Sequence, residues 1–217
     1  MRLDIVTAIS ANGFITESRG RCSHDLIPLL GTPREVLERK WEIRRRYGAG
    51  LVGTHTVLDN DPTLTSHAAP GHDVVRATLD AKGRIPRGAR FFDGSARTLI
   101  AVCERTPAEY LRFLAERGVE AVPAGEERID PAAFLAGLEE RGIASVLCEG
   151  GGLLNRSLLA AGLVGRMFLL VFPLVLEATS VNLFEGGGPP ARLRLDGCDR
   201  QGEYVWLEYA VEGGSAT

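Results

Sequence analysis

Short apolar runs alternate with helix-start signals along most of this chain, and that alternation leaves few folds open. Strand-like runs lie at 3–9, 49–52, 74–79, 98–103, 119–122 and 145–148. Thr32-Pro33-Arg34-Glu35 and Thr106-Pro107-Ala108-Glu109 read as capping boxes with proline in the first helical position, predicting helices over 33–46 and 107–117. Asp130-Pro131 opens a third helix ending near Gly142, and a fourth spans 153–161 with Gly162 as its stop. Beyond it the pattern changes to strands at 168–172, 192–196 and 204–211. Alternating units followed by strands predict an α/β fold of three layers, αβα, whose mixed sheet is mostly parallel with antiparallel C-terminal strands. No linker or repeat divides the chain, so 1–217 reads as one domain with 213–217 as a frayed tail.

Two of the strand-like runs end in glycine turns. One is Gly53-Thr54-His55-Thr56, the other Glu149-Gly150-Gly151-Gly152-Leu153-Leu154-Asn155, and residues able to begin a helix follow each. Glycine between a strand and a helix lets backbone N–H groups approach a ligand closely, which suits phosphate. Two such turns in one chain suggest a dinucleotide laid across the carboxyl ends of a sheet.

The global numbers fit a soluble enzyme. Over 217 residues the hydrophobic fraction is 45%, the charged fraction 24% and the net charge −3, so no polyanionic partner is called for. Cys22, Cys103, Cys148 and Cys198 are scattered with no C-x-x-C pair, which argues against a metal site. Cys103 and Cys148 end apolar runs and read as small buried hydrophobes. The longest apolar stretch, around 167–176, contains Pro173 and is too short to span a membrane. A cytoplasmic protein with a small-molecule substrate, no nucleic acid and no membrane contact is expected.

The order of motifs resembles the reductase domain of riboflavin biosynthesis, within the dihydrofolate-reductase-like superfamily. The matching elements are Ser10-Ala11-Asn12-Gly13, the run 53–65 (GTHTVLDNDPTLT), Leu79-Asp80 with Arg84-Ile85-Pro86, and 149–157 followed by Leu163. The resemblance implies that superfamily's mixed sheet, NADPH as hydride donor and commonly a homodimer. It places Ala8, Thr56, Asn60, Ala81, Gly151, Gly152, Leu153, Leu154 and Asn155 on the cofactor. Ser23, Arg44, Leu64, His67 and Glu149 are carried over to the substrate. Asp25 and Glu149 are the candidate catalytic groups, Asp25 as a source of the transferred proton. Arg105 and Thr106, between a strand end and a helix start, are the candidates for the NADPH 2′-phosphate.

The substrate half departs from the family pattern. His67 stands where the bacterial enzymes usually carry an arginine, and Asn12 where aspartate is common. No H-x-E followed by P-C-x-x-C occurs, so the zinc deaminase that accompanies many family members is absent from this sequence. Three readings stay open: the reductase of a ribosylamino-pyrimidine phosphate, an NADPH-dependent reductase of another C=N or C=O compound such as a pterin, and a nucleotide-binding protein without turnover.

Overall fold

The structure, a computed structural model, describes residues 1–17, 30–65, 75–177 and 180–213. Its first half comprises β1 (Arg2–Ser10), β2 (Phe14–Thr16), α1 (Arg34–Arg44), β3 (Ala49–Val52), α2 (Thr54–Asn60), β4 (Val75–Leu79) and β5 (Thr98–Val102). There follow α3 (Ala108–Glu116), β6 (Glu120–Pro123), α4 (Pro131–Glu139), β7 (Ser145–Cys148), α5 (Gly152–Ala160), β8 (Arg166–Phe172), β9 (Val181–Asn182), β10 (Leu193–Gln201) and β11 (Tyr204–Val211). Nine strands form one sheet in the order β10-β11-β8-β1-β7-β3-β4-β5-β6, and β2 pairs with β9 in a separate ribbon.

From β8 to β6 every neighbouring pair is parallel, while β11 pairs antiparallel with both β8 and β10. The expected α/β sheet with antiparallel C-terminal strands is what forms. Alternate residues of the central strands β1, β3 and β7 enter opposite cores, as the pleat requires. Leu3, Ile5 and Leu51 pack with Phe134 and Leu138 of α4 and Leu158 of α5. Val6 and Ala8 pack with Val36 and Ile43 of α1, and Val52 and Ile100 pack with Val57 of α2 and Leu114 of α3. Helices therefore cover both faces, giving three layers.

The direction of travel explains which helix lies on which face. The chain steps outward from β1 to β3, β4, β5 and β6 with α1, α2 and α3 on one side. It then reverses, and right-handed crossovers force the returning helices onto the other side. So α4 leads back to β7, inserted between β1 and β3, and α5 leads on to β8 beyond β1. The strands β3 and β7 are neighbours whose outgoing helices leave on opposite faces. Between their carboxyl ends lies the crevice where open α/β sheets take ligands.

Two helix starts differ from the sequence expectation. Pro33 and Pro107 occupy the N-cap positions of α1 and α3, and neither helix has a side-chain cap. The threonines sit one residue too early to reach the first-turn amides. Thr32 Oγ1 meets the Tyr204 hydroxyl at 3.2 Å, and Thr106 accepts the Cys103 N–H at 3.0 Å while donating to the Ala81 carbonyl at 2.9 Å. Asp130 does cap α4, accepting from the Ala132 N–H at 2.9 Å ahead of Pro131. The helices also stop earlier than expected, at Arg44, Glu116 and Glu139. Cys103 and Cys148 are buried as expected.

Candidate active site

The register between β3 and β7 pairs Leu51 with Cys148, so the two glycine turns emerge side by side. Backbone pairing continues past the strands: the Glu149 N–H donates to the Leu51 carbonyl at 2.8 Å and the Gly53 N–H to the Gly150 carbonyl at 3.2 Å. Each glycine of the second turn has its own reason to be glycine. Gly150 and Gly151 have φ of +134° and +104°, a region L side chains rarely enter. A Cβ on Gly151 would also stand 3.4 Å from Thr56 Oγ1. A Cβ on Gly152 would lie 2.4 Å from the Asn182 carbonyl oxygen, because β9 lies across the start of α5.

A cavity of about 300 Å³ opens over these turns, within the range typical of small-molecule sites. The sheet supplies its floor, with Thr7 from β1, Gly53 after β3 and Leu79 at the end of β4. Ile15 and Thr16 of β2 and Val181 of β9 wall one side, and Ile129 and Pro131 another. The first amides of α5, from Gly152 onward, have no side-chain cap. The N-terminus of a helix left open in this way attracts anions through its unpaired N–H groups and its dipole.

Glu149 borders the cavity with its side chain 3% exposed. Arg44 of α1 pairs with its Oε2, and Lys40 Nζ lies 3.6 Å from the same oxygen. Burial pushes the Glu149 carboxyl up, but Arg44 first and Lys40 second outweigh it, holding the group below the ordinary carboxylate value. Its other oxygen, Oε1, is buried without a hydrogen-bond partner among the described residues, as is Arg44 Nε. An ionised acceptor with an unused oxygen beside a cavity is equipped to take an N–H or O–H from a ligand.

The segment after α2 is held in a strained shape beside this pair. Asp61 and Leu64 have φ of +38° and +49°, uncommon for residues other than glycine and frequent at ligand clamps. Leu64 packs on Gly50, where a Cβ would come within 3.3 Å of its Cδ2 and 3.4 Å of Glu149 Oε1. Three polar contacts fix the strain. Arg44 Nη1 donates to the Thr65 carbonyl at 3.3 Å, Arg76 Nη1 to the Thr63 carbonyl at 3.2 Å, and the Arg90 N–H to Asp61 Oδ1 at 2.7 Å. Arg76, with no exposed surface, also bonds Thr98, Asp93 and the Arg90 and Ala96 carbonyls.

Of the residues singled out in the sequence, the cavity brings together Thr56, Asn60, Gly151, Gly152, Leu153, Leu154 and Glu149. Arg44 and Leu64 stand directly behind Glu149. Ala8 is in the α1 core, on the face of β1 opposite Thr7. Ala81 meets Thr106 through its carbonyl. Asn155 is fully buried, donating to the Leu183 carbonyl at 3.3 Å and accepting from Cys148 Sγ at 3.4 Å. Arg105 is exposed and paired with Glu127, and the Thr106 hydroxyl is already bonded on both sides. Ser23, Asp25 and His67 lie outside the described residues. Thr7, Thr16, Lys40 and Arg76 were not legible as site residues. Their one signal is polarity inside strand-like or helical runs.

Among the described residues no cluster of His, Cys, Asp and Glu could hold a metal ion, and no helix is long and apolar enough to cross a membrane. The model of the RibD C-terminal domain matches residues 3–207. The chain is 37% identical to the 2,5-diamino-6-ribosylamino-4(3H)-pyrimidinone 5′-phosphate reductase of Methanothermobacter thermautotrophicus, over 82% of this chain and 87% of that protein. It is 32% identical to the reductase of the same name from Aquifex aeolicus, over 84% and 81%. The fold matches that of Acinetobacter baumannii RibD with a TM-score of 0.77 at 20% identity, covering 97% of this chain and 57% of that longer one. Kinship with riboflavin-biosynthesis reductases implies a reduced nicotinamide cofactor. A match that runs from β1 to β11 and takes in both glycine turns admits one conclusion: this chain belongs to the RibD C-terminal domain family of reductases.

Proposed function

We propose that this chain is the NADPH-dependent reductase of 2,5-diamino-6-ribosylamino-4(3H)-pyrimidinone 5′-phosphate, the compound named for its archaeal and bacterial relatives. The observation that carries this reading is the pairing of the two glycine turns beside a buried carboxylate with one oxygen unused. The residues present fit a dinucleotide. The open start of α5 and the Thr56 hydroxyl would hold pyrophosphate, and the space a Cβ on Gly151 would fill is the space the phosphates need. When bound, NADPH supplies the hydride that converts C1′ of the substrate, in its ring-opened imine form, into the ribitylamino product.

The protein's part is positioning and charge. Arg44 and Lys40 keep Glu149 ionised at neutral pH, so it accepts a hydrogen bond from substrate through Oε1 and does not serve as the acid. The proton then comes from Asp25 or from solvent. Leu64, pressed against Gly50 in its strained conformation, gives the substrate an apolar wall next to Glu149. Holding donor and acceptor carbons together while excluding water accounts for most of the rate such a site can supply.

The test is NADPH consumption by the purified protein with the ribosylaminopyrimidine phosphate, the product being identified by mass as the substrate plus two hydrogens. If NADPH is stable with this compound yet consumed with a dihydropterin or a cyclic imine, the substrate assignment is wrong.

A further inference from the structure

One residue of the cavity wall carries a buried hydroxyl with no partner among the described residues. Thr16, at the end of β2, is 6% exposed, lines the cavity, and its Oγ1 is buried without a hydrogen bond among the described residues. Among the described residues the buried Tyr110 hydroxyl is also without a hydrogen bond, but it lies in the core under α3 and not at the cavity. The buried hydroxyls of Thr78, Thr106 and Ser10 are engaged. Thr78 donates to the Val52 carbonyl at 2.9 Å, Thr106 to the Ala81 carbonyl at 2.9 Å, and Ser10 to Asn12 at 2.7 Å. A buried hydroxyl left unmade costs on the order of 1–3 kcal/mol, so its retention at a cavity surface points to a partner that arrives with the ligand.

The placement of Thr16 is fixed by its neighbours. Its backbone pairs with Val181 of β9. The Leu183 N–H donates to the Gly13 carbonyl at 3.1 Å, and the Glu185 N–H to the Gly152 carbonyl at 3.2 Å. The ribbon of β2 and β9 is thereby anchored at the first residue of α5.

The inference rests on the proposed cofactor. With pyrophosphate between the two turns, the dinucleotide extends in opposite directions across the sheet. Leu79, Ile129 and Pro131 lie toward β4, whereas Thr7, Ile15, Thr16 and Glu149 lie toward β1. Hydride has to be released beside the substrate, which Glu149 and Arg44 mark on the β1 side. The nicotinamide half is therefore the half next to Thr16. We infer that the Thr16 hydroxyl is a specificity contact, hydrogen-bonded to a polar group of the nicotinamide half of NADPH.

Calorimetric titration of wild type, Thr16→Val and Thr16→Ser tests this, with NADPH and with 2′,5′-ADP, which lacks the nicotinamide half. Thr16→Val keeps the shape and removes the hydroxyl. It is expected to weaken NADPH about 5–10-fold, the worth of one neutral hydrogen bond. Affinity for 2′,5′-ADP is expected to stay unchanged, and Thr16→Ser to bind NADPH like wild type. Three results would overturn the assignment: unchanged NADPH affinity in Thr16→Val, equal weakening of both ligands, or a raised substrate KM with NADPH binding intact. A wild-type protein that fails to bind NADPH at all would instead remove the cofactor reading, and this inference with it.

Discussion

Arg44 and Glu149, 105 residues apart in sequence, form an ion pair whose side chains are 10% and 3% exposed. The pair joins α1 to the end of β7 and leaves the remaining carboxylate oxygen, next to Gly50, without a hydrogen-bond partner among the described residues. Removing Arg44 leaves the buried Glu149 only the more distant Lys40, 3.6 Å away, and breaking a buried pair costs about 3–5 kcal/mol. Arg44→Ala is expected to lower the unfolding free energy by that amount in urea denaturation and to raise the substrate KM. A loss below about 1 kcal/mol, the scale of an exposed pair, would show that the contact is not buried in solution.

The same pair sets a pH dependence. Burial raises the Glu149 carboxyl while Arg44 and Lys40 lower it further, so its folded value lies below the ordinary 4.5. The stability it contributes is complete above that ordinary value and is lost as pH falls through the lower folded value. Arg44→Met removes the larger stabilising charge. The stability gap between wild type and Arg44→Met is expected to be constant above about pH 5.5 and to shrink below about pH 4.5. A gap that widens on acidification would contradict the direction of the shift.

Arg76 offers a test of the strained segment. It bonds the Thr63 carbonyl from a position with no exposed surface and pairs with Asp93 at 3.0 Å. Arg76→Met fills much of the space but leaves four carbonyl or carboxylate contacts and the Thr98 hydroxyl unmade. The expected loss is about 3–5 kcal/mol in thermal or urea unfolding, with KM raised more than kcat is lowered because Leu64 is no longer held. Equal folding stability in the variant would refute the role.

Much of the sheet was legible because glycine and proline bracket its strands. The runs 49–52, 145–148 and 204–211 form with the expected ends. The glycine turns were legible for the same reason, and parallel pairing of β3 with β7 then made them neighbours. What failed was non-local. A helix start after Gly53 was legible but the extent of α2 was not: Thr-His-Thr-Val-Leu-Asp-Asn has low intrinsic propensity and holds through Val57 in the core, a tertiary effect. The ribbon of β2 and β9 joins three residues to two across the length of the chain. Arg76 reads as a surface charge in a strand, and nothing near Glu149 announces Arg44 as its partner. Both depend on contacts made only after the sheet assembles.

The helix starts can be separated by mutation. Asp130 accepts from the first turn of α4, whereas Thr32 reaches Tyr204 and not α1. Asp130→Ala is expected to cost about 1 kcal/mol, the usual worth of a cap, visible as a lower Tm. Thr32→Ala is expected to lose less. The reverse order would mean that the threonine capping box forms after all.

The central claim is that the two glycine turns make one cradle for the cofactor's phosphates, and Gly151 is where they face each other, beside Thr56 and Gly53. Gly151→Val puts a branched side chain where φ is +104° and Thr56 Oγ1 is within 3.4 Å of the new Cβ. Calorimetric titration of NADPH into wild type and Gly151→Val, with circular dichroism confirming that the variant is folded, is the most direct measurement. Binding by wild type and no detectable heat from the folded variant is the predicted result. A folded variant with wild-type affinity would contradict the account.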